Sequence, residues 1–124
     1  MSTDVDRWVS AGERAVTRSR EKQDPIFEEV SAARSSQRVA ALVPVLRERW
    51  RRGHPDDEGG MAENVFLTAA LRAAGAPAAL RLGREAAPPA RAAHYLSWVE
   101  CDGQVVSTGA PVQELYEVVL SLPS

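Results

Sequence analysis

The fold is decided by the stretch Met61-Ala62-Glu63-Asn64-Val65-Phe66-Leu67-Thr68-Ala69-Ala70-Leu71-Arg72-Ala73-Ala74-Gly75-Ala76-Pro77-Ala78-Ala79-Leu80-Arg81-Leu82-Gly83. Met61 to Ala74 is rich in Ala and Leu, without an internal Gly or Pro, and predicts a helix. Gly75 stands where a left-handed residue closes a helix. Ala78 to Leu82 then reads as a short strand. Further on, Tyr95-Leu96-Ser97-Trp98-Val99-Glu100-Cys101 alternates as a strand. Asp102-Gly103 is a strong two-residue turn signal, and Gln104 to Ser107 returns as the partner strand.

Upstream, Val5, Trp8, Val9, Ala15 and Val16 share one helical face, with Thr3 and Asp6 in the pattern of a capping box. Gln23-Asp24-Pro25 reads as a break and a new start, with Asp24 as N-cap, Pro25 in the first turn, and Ile26, Phe27, Val30 and Ala33 as the apolar face. Val39, Leu42, Val43, Leu46 and Trp50 predict a third helix capped by Ser36. Pro44 must either kink that helix or mark its true beginning. Gly53 to Gly60 is the clearest loop. Arg84 to Arg91, with Pro88-Pro89, reads as a second loop unable to hold a sheet ladder. After Gly109-Ala110-Pro111, the spacing of Val112, Leu115, Tyr116, Val119 and Leu120 predicts a C-terminal helix. The expectation is a single α+β domain, 1–124, with a helical front (1–52), a loop (53–60) and a mixed α/β back (61–124). Its helical N-terminal half packs on a small antiparallel sheet, the hairpin Tyr95–Ser107, followed by a C-terminal helix.

With 124 residues the chain can bury one modest core. Hydrophobic content of 44% with 26% charged residues places it among ordinary globular proteins. A net charge of −2 offers no basic excess for phosphate contacts, which disfavours nucleic acid. Lys22 is the sole lysine. Abundant Arg and Ala suggest a GC-rich bacterial genome. The single cysteine, Cys101, forbids an intrachain disulfide and makes the cytoplasm the simplest location. No signal peptide or membrane-length apolar run is visible.

The helix, its Gly stop, the short strand and the hairpin carrying Trp98-Val99-Glu100 and Asp102-Gly103 resemble the transglutaminase-like fold. They resemble most the small leader-cleaving proteases of lasso-peptide pathways. The resemblance covers roughly the last half of the chain. Those proteases use a Cys at the helix start and a His just before the Trp-Val-Glu run. Here these positions fall near Gly60 and Leu96, neither of which can attack a carbonyl or move a proton. In that family the final stretch, here Val112 to Leu120, would be partly extended, which conflicts with the helical spacing read above.

The remaining chemistry is sparse. Cys101 and His94 stand at opposite ends of one expected strand, roughly 23 Å apart, too far to form a nucleophile–base pair. Cys101 reads as a small apolar residue at a hairpin. His94 lies two residues from the family's His position and on the same strand face. It is the one candidate catalytic base, against the plainer reading of a polar strand end. His54 with Asp56, Asp57 and Glu58 has the composition of a metal site without a zinc spacing, so no metal is expected. Glu28-Glu29 reads as solvated surface. Trp50, Arg81, Arg91 and Tyr95 are the candidate substrate contacts, an Arg being the natural partner of a substrate carboxylate. Trp8, Trp50 and Trp98 with Tyr95 and Tyr116 are many for so small a domain, which suggests a homodimer.

The frame without its nucleophile points to holding a peptide. The first expectation is maturation of a ribosomally made modified peptide, with the protein binding and preorganising it for intramolecular cross-linking. Amine addition to dehydroalanine, as in the lysinoalanine bridges of cinnamycin- and duramycin-type lanthipeptides, meets that description. Such a peptide cyclase needs no cofactor and little protein acid–base chemistry. The alternative is a catalytically dead transglutaminase-like adaptor or immunity-type partner.

Overall fold

The computed structural model describes residues 2–28, 30, 36–57, 60–86 and 92–123, and side chains at all of these but 2, 3 and 36–40. Three helices, α1 (Ser2–Arg20), α2 (Ser36–Gly53) and α3 (Met61–Ala73), precede strands β1 (Ala78–Glu85), β2 (Tyr95–Cys101) and β3 (Gln104–Val105). A one-turn helix α4 (Val112–Leu115) leads into strand β4 (Tyr116–Leu122). The sheet is antiparallel in the order β3-β2-β1-β4. The expected α+β architecture is present.

α3 is the centre of the molecule. Its residues from Glu63 to Leu71 are buried without interruption, as in a helix enclosed on every side. α1 and α2 pack on it from one side and β1 and β2 from the other. The core joins Val16, Leu46, Trp50, Phe66, Leu67, Leu71, Leu80 and Val99. Close approach of α1 depends on Gly12. A Cβ there would sit 2.5 Å from the Phe66 ring and 2.8 Å from the Phe66 carbonyl oxygen. α3 ends in a Schellman arrangement: Gly75 has φ 91°, its N–H donates to the Arg72 carbonyl, and the Ala76 N–H donates to the Leu71 carbonyl. The Asp102-Gly103 turn has φ 52° and 76°, the two positive values that a two-residue hairpin of this kind demands.

Four expectations are corrected. Residues 25–28 are not helical despite Asp24-Pro25; Ala33 lies outside the described residues. α2 runs through Pro44 from Ser36, so Pro44 does not mark its beginning. β1 continues to Glu85, taking Arg84 and Glu85 from the expected loop, because Arg84 and Glu85 pair with Glu117 and Tyr116 of β4. The C-terminal helix lasts one turn, and from Tyr116 the chain is strand. The apolar spacing that suggested a helix also serves an edge strand rich in Val and Leu, and pairing with β1 decides between them.

Trp98 and Val112 are fully buried yet stand apart from the main core. The register sets Trp98 opposite Arg81, on the sheet face away from Leu80 and Val99. There its ring crosses Gly83, where a Cβ would lie 2.6 Å from two indole carbons, and meets Tyr116 with centroids 6.2 Å apart. The sheet therefore carries a small second cluster on this face, of Trp98, Gly83 and Tyr116.

Candidate functional site: a groove beside β2

The site begins at the N-terminus of α3. Trp50, at the end of α2, donates its indole N–H to the Asp57 carbonyl oxygen at 2.7 Å and stacks on His54 at 3.7 Å. His54 Nδ1 lies 3.0 Å from the Trp50 carbonyl oxygen. These contacts tie residues 54–57 to the end of α2. Gly60 and Leu96, near which the resemblance would set the Cys and His, line one pocket of about 240 Å³ together with Met61, Leu82, Tyr95 and Ser97.

A second pocket of about 230 Å³ shares Leu96 and Ser97 with the first and is also lined by Arg47, Arg51, Asn64, Ser107, Thr108, Ala110 and Val112. Its chemistry centres on Glu63, whose side chain has no exposed surface. Arg51 donates from Nε to Oε2 at 3.0 Å and from Nη2 to Oε1 at 3.2 Å, a two-point grip. Arg47 donates from Nε to Oε1 at 3.1 Å and from Nη2 to the Ser107 carbonyl oxygen. Asn64 donates to the carbonyl and hydroxyl oxygens of Ser97 at 3.1 and 2.9 Å, and the Ser107 hydroxyl accepts the Val99 N–H at 2.9 Å. The wall is thus tied to α2, α3 and the segment after β3.

β3 pairs only with Glu100 and Cys101. Among the described residues, Val106 adds one further backbone bond, to Val99, and no strand lies beside the Tyr95–Ser97 half of β2 on the side away from β1, where the Ser97 carbonyl accepts from the Asn64 side chain. The second pocket opens next to that half.

The sequence candidates separate as follows. Tyr95 lines the first pocket and is 59% exposed. Trp50 has no exposed surface and packs its ring against Phe66 and His54, so it stands in the core and lines neither pocket. Arg81 has its Nε 3.4 Å from Glu100 Oε1 and is not among the residues that line the two pockets. Arg91 lies outside the described residues, as do Glu29 and Glu58. His94 is exposed and is held at the end of β2 through its backbone, its N–H donating to Glu85 Oε2 at 3.0 Å and its carbonyl accepting the Glu85 N–H. It adjoins Tyr95 without lining either pocket. Cys101 is buried at the far end of β2, and burial, with a smaller contribution from Asp102, pushes its thiol above the ordinary value.

Glu63, Arg47, Arg51, Asn64 and Ser97 were missed by sequence reasoning. The one available signal was Glu63 itself, the lone carboxylate of an otherwise apolar helix start. Among the described residues no group of three His, Cys, Asp or Glu side chains is placed to hold a metal, and no helix is long and apolar enough to cross a membrane. Comparisons with protein-family models, curated proteins and solved structures returned no match.

Proposed function

We propose that the protein binds an extended peptide along the open half of β2 and orients it for intramolecular cross-linking. The observation that carries this reading is the pair of pockets on either side of Leu96 and Ser97. Each is below the size usual for a whole small-molecule ligand and suits one side chain. Two such pockets at a strand with an open side fit a peptide that adds beside the strand and seats its side chains in turn. The groove lies at the start of a buried helix and beside a hairpin, which is the place that a resemblance to transglutaminase-like modules, with the Cys and His positions near Gly60 and Leu96, would lead one to expect.

In the proposed reaction, the amine of a substrate lysine attacks Cβ of a dehydroalanine in the same peptide. A nitrogen–carbon bond forms, the double bond opens, and the proton lost by nitrogen ends on Cα, so nothing is consumed and mass is unchanged. Holding both groups in contact can remove several kcal/mol of barrier without a protein nucleophile. His94, next to Tyr95, is the one side chain here proposed to relay a proton. A dehydrated test peptide should lose its reactivity toward added thiol after incubation with the protein. Tyr95→Ala with Leu96→Ala should weaken peptide binding about tenfold while leaving the melting temperature nearly unchanged. Persistent thiol trapping at saturating protein would refute the cross-linking step.

One observation favours the adaptor reading instead. On β4, Val118, Val119 and Leu120 are exposed, as is Leu115 before them. This apolar edge strand suits a partner chain, and we propose a second copy as that partner. Retained peptide binding with no effect on dehydroalanine would favour the adaptor.

A further inference from the structure

We infer that Asn64 is a positioning residue that sets the register of the bound peptide and selects a proline at the position facing Ser97. The inference rests on the groove reading above and names the peptide that the groove takes.

The argument starts from the backbone groups on the outer side of β2. Along a strand, successive residues direct their N–H and C=O to opposite sides. Val99 turns outward, because its carbonyl accepts the Val106 N–H and its N–H donates to the Ser107 hydroxyl. Ser97 and Tyr95, two and four residues back, turn the same way. Asn64 then takes the Ser97 carbonyl. Its side-chain amide donates to that oxygen at 3.1 Å and to the Ser97 hydroxyl at 2.9 Å. Asn64 is 3% exposed, so packing around α3 holds the amide in place. The Ser97 N–H and both backbone groups of Tyr95 are left without a partner on this side among the described residues.

Every strand pair in this sheet is antiparallel, and a peptide added in the same sense exchanges both bonds with Tyr95. The peptide residue two places earlier then faces Ser97. Its carbonyl accepts the Ser97 N–H, but its own N–H points at the oxygen that Asn64 already holds. That oxygen has two lone pairs, yet a second N–H arriving there would stand beside the Asn64 amide hydrogens and share their acceptor. A proline has no hydrogen to place. Strands accept proline where no ladder bond is asked of its nitrogen, and Asn64 creates such a place. The pocket beside Ser97, about 230 Å³ and lined also by Asn64, Ser107, Thr108 and Ala110, has room for a pyrrolidine ring. The groove therefore reads the order proline, any residue, then the residue paired with Tyr95.

The test titrates the protein with four probes of one length. The first is acetyl-Gly-Pro-Thr-Leu-Gly amide, and the second has alanine in place of proline. The third is the alanine probe with lactic acid in place of alanine, which turns that N–H into an ester oxygen. The fourth is the alanine probe with leucic acid in place of leucine, which removes the N–H facing Tyr95. The proline and lactic acid probes should bind about tenfold more tightly than the alanine probe, and the leucic acid probe about tenfold more weakly. Asn64→Ala frees the Ser97 carbonyl, so the alanine probe should gain and the proline preference should fall to within about twofold. A role confined to holding the fold would not change that preference. Should Asn64→Ala not fold, the two ester probes decide the matter on the wild-type protein. Equal binding of the proline and alanine probes, with the leucic acid probe still weak, would overturn the inference and leave the groove intact. A proline preference without a gain for lactic acid, or one that survives Asn64→Ala, would overturn it as well. Failure of every probe to bind would remove both readings.

Discussion

At the residue scale, Glu63 and Glu100 are two buried carboxylates with different tasks. Glu63 ties α3 to α2. Its replacement by Ala would remove the buried carboxylate that Arg47 and Arg51 both grip, a change expected to cost about 3–5 kcal/mol in chemical denaturation. Glu63→Gln should cost less, since an amide oxygen can still accept from Arg51. Glu100 belongs with the second cluster, through Trp98. Burial raises its pKa, but hydrogen bonds from Trp98 and Gln113 and the Arg81 guanidinium outweigh burial and hold the carboxyl below its ordinary value of 4.5. A folded pKa below the unfolded one adds stability that is present above pH 4.5 and lost as the pH falls below it. Trp98 donates to Glu100 at 2.7 Å, so its fluorescence should report that loss, and Glu100→Gln should flatten the acid limb of stability against pH. Cys101 should react slowly with a thiol reagent in the native protein and rapidly in denaturant, because burial leaves little thiolate. These residues also mark the limit of sequence reading. Nothing in the neighbours of Glu63 discloses that its partners sit 12 and 16 positions upstream on another helix.

At the element scale, what was legible was what is decided locally. Gly75 and Asp102-Gly103 announce a helix end and a hairpin because their positive φ angles admit few other residues. Illegible were the features decided by a distant partner. β4 obeys helical spacing yet joins β1. Asp24-Pro25 has the form of a start signal for a helix that residues 25–28 do not make. The α1–α3 contact gives a sharp competition of effects. Gly12→Ala would gain up to about 1 kcal/mol of helix propensity, but its Cβ would meet the Phe66 carbonyl oxygen at 2.8 Å, on backbone that cannot turn aside. Overpacking of about 1–3 kcal/mol should win, so the variant should melt lower than the parent. A rise in melting temperature would show that α1 can shift away from α3. At the β1–β4 junction Leu82 faces Leu120 and Gly83 faces Val118, so Val119 is the extra residue of a bulge. Bulges bend an edge and limit pairing along it, yet Val119 remains exposed.

At the scale of the whole molecule, the aromatic excess that suggested a dimer is largely resolved inside one chain. Trp50 is buried in the main core and Trp98 in the second cluster, on opposite faces of the sheet. The case for a second copy therefore moves to β4. If that strand is the contact, Val119→Lys should shift sedimentation from dimer to monomer without lowering the secondary-structure content. The groove lies elsewhere, between the start of α3 and the open half of β2, and its walls come from all the major layers. Under the proposed function, this groove is the seat of the peptide. The most direct test is an amide NMR titration with an extended peptide carrying a proline and an apolar residue two positions later. The account predicts saturable shifts at Gly60, Tyr95, Leu96, Ser97 and Thr108, with α1 unmoved. Shifts confined to α1 or to β4, or none at saturating peptide, would contradict it.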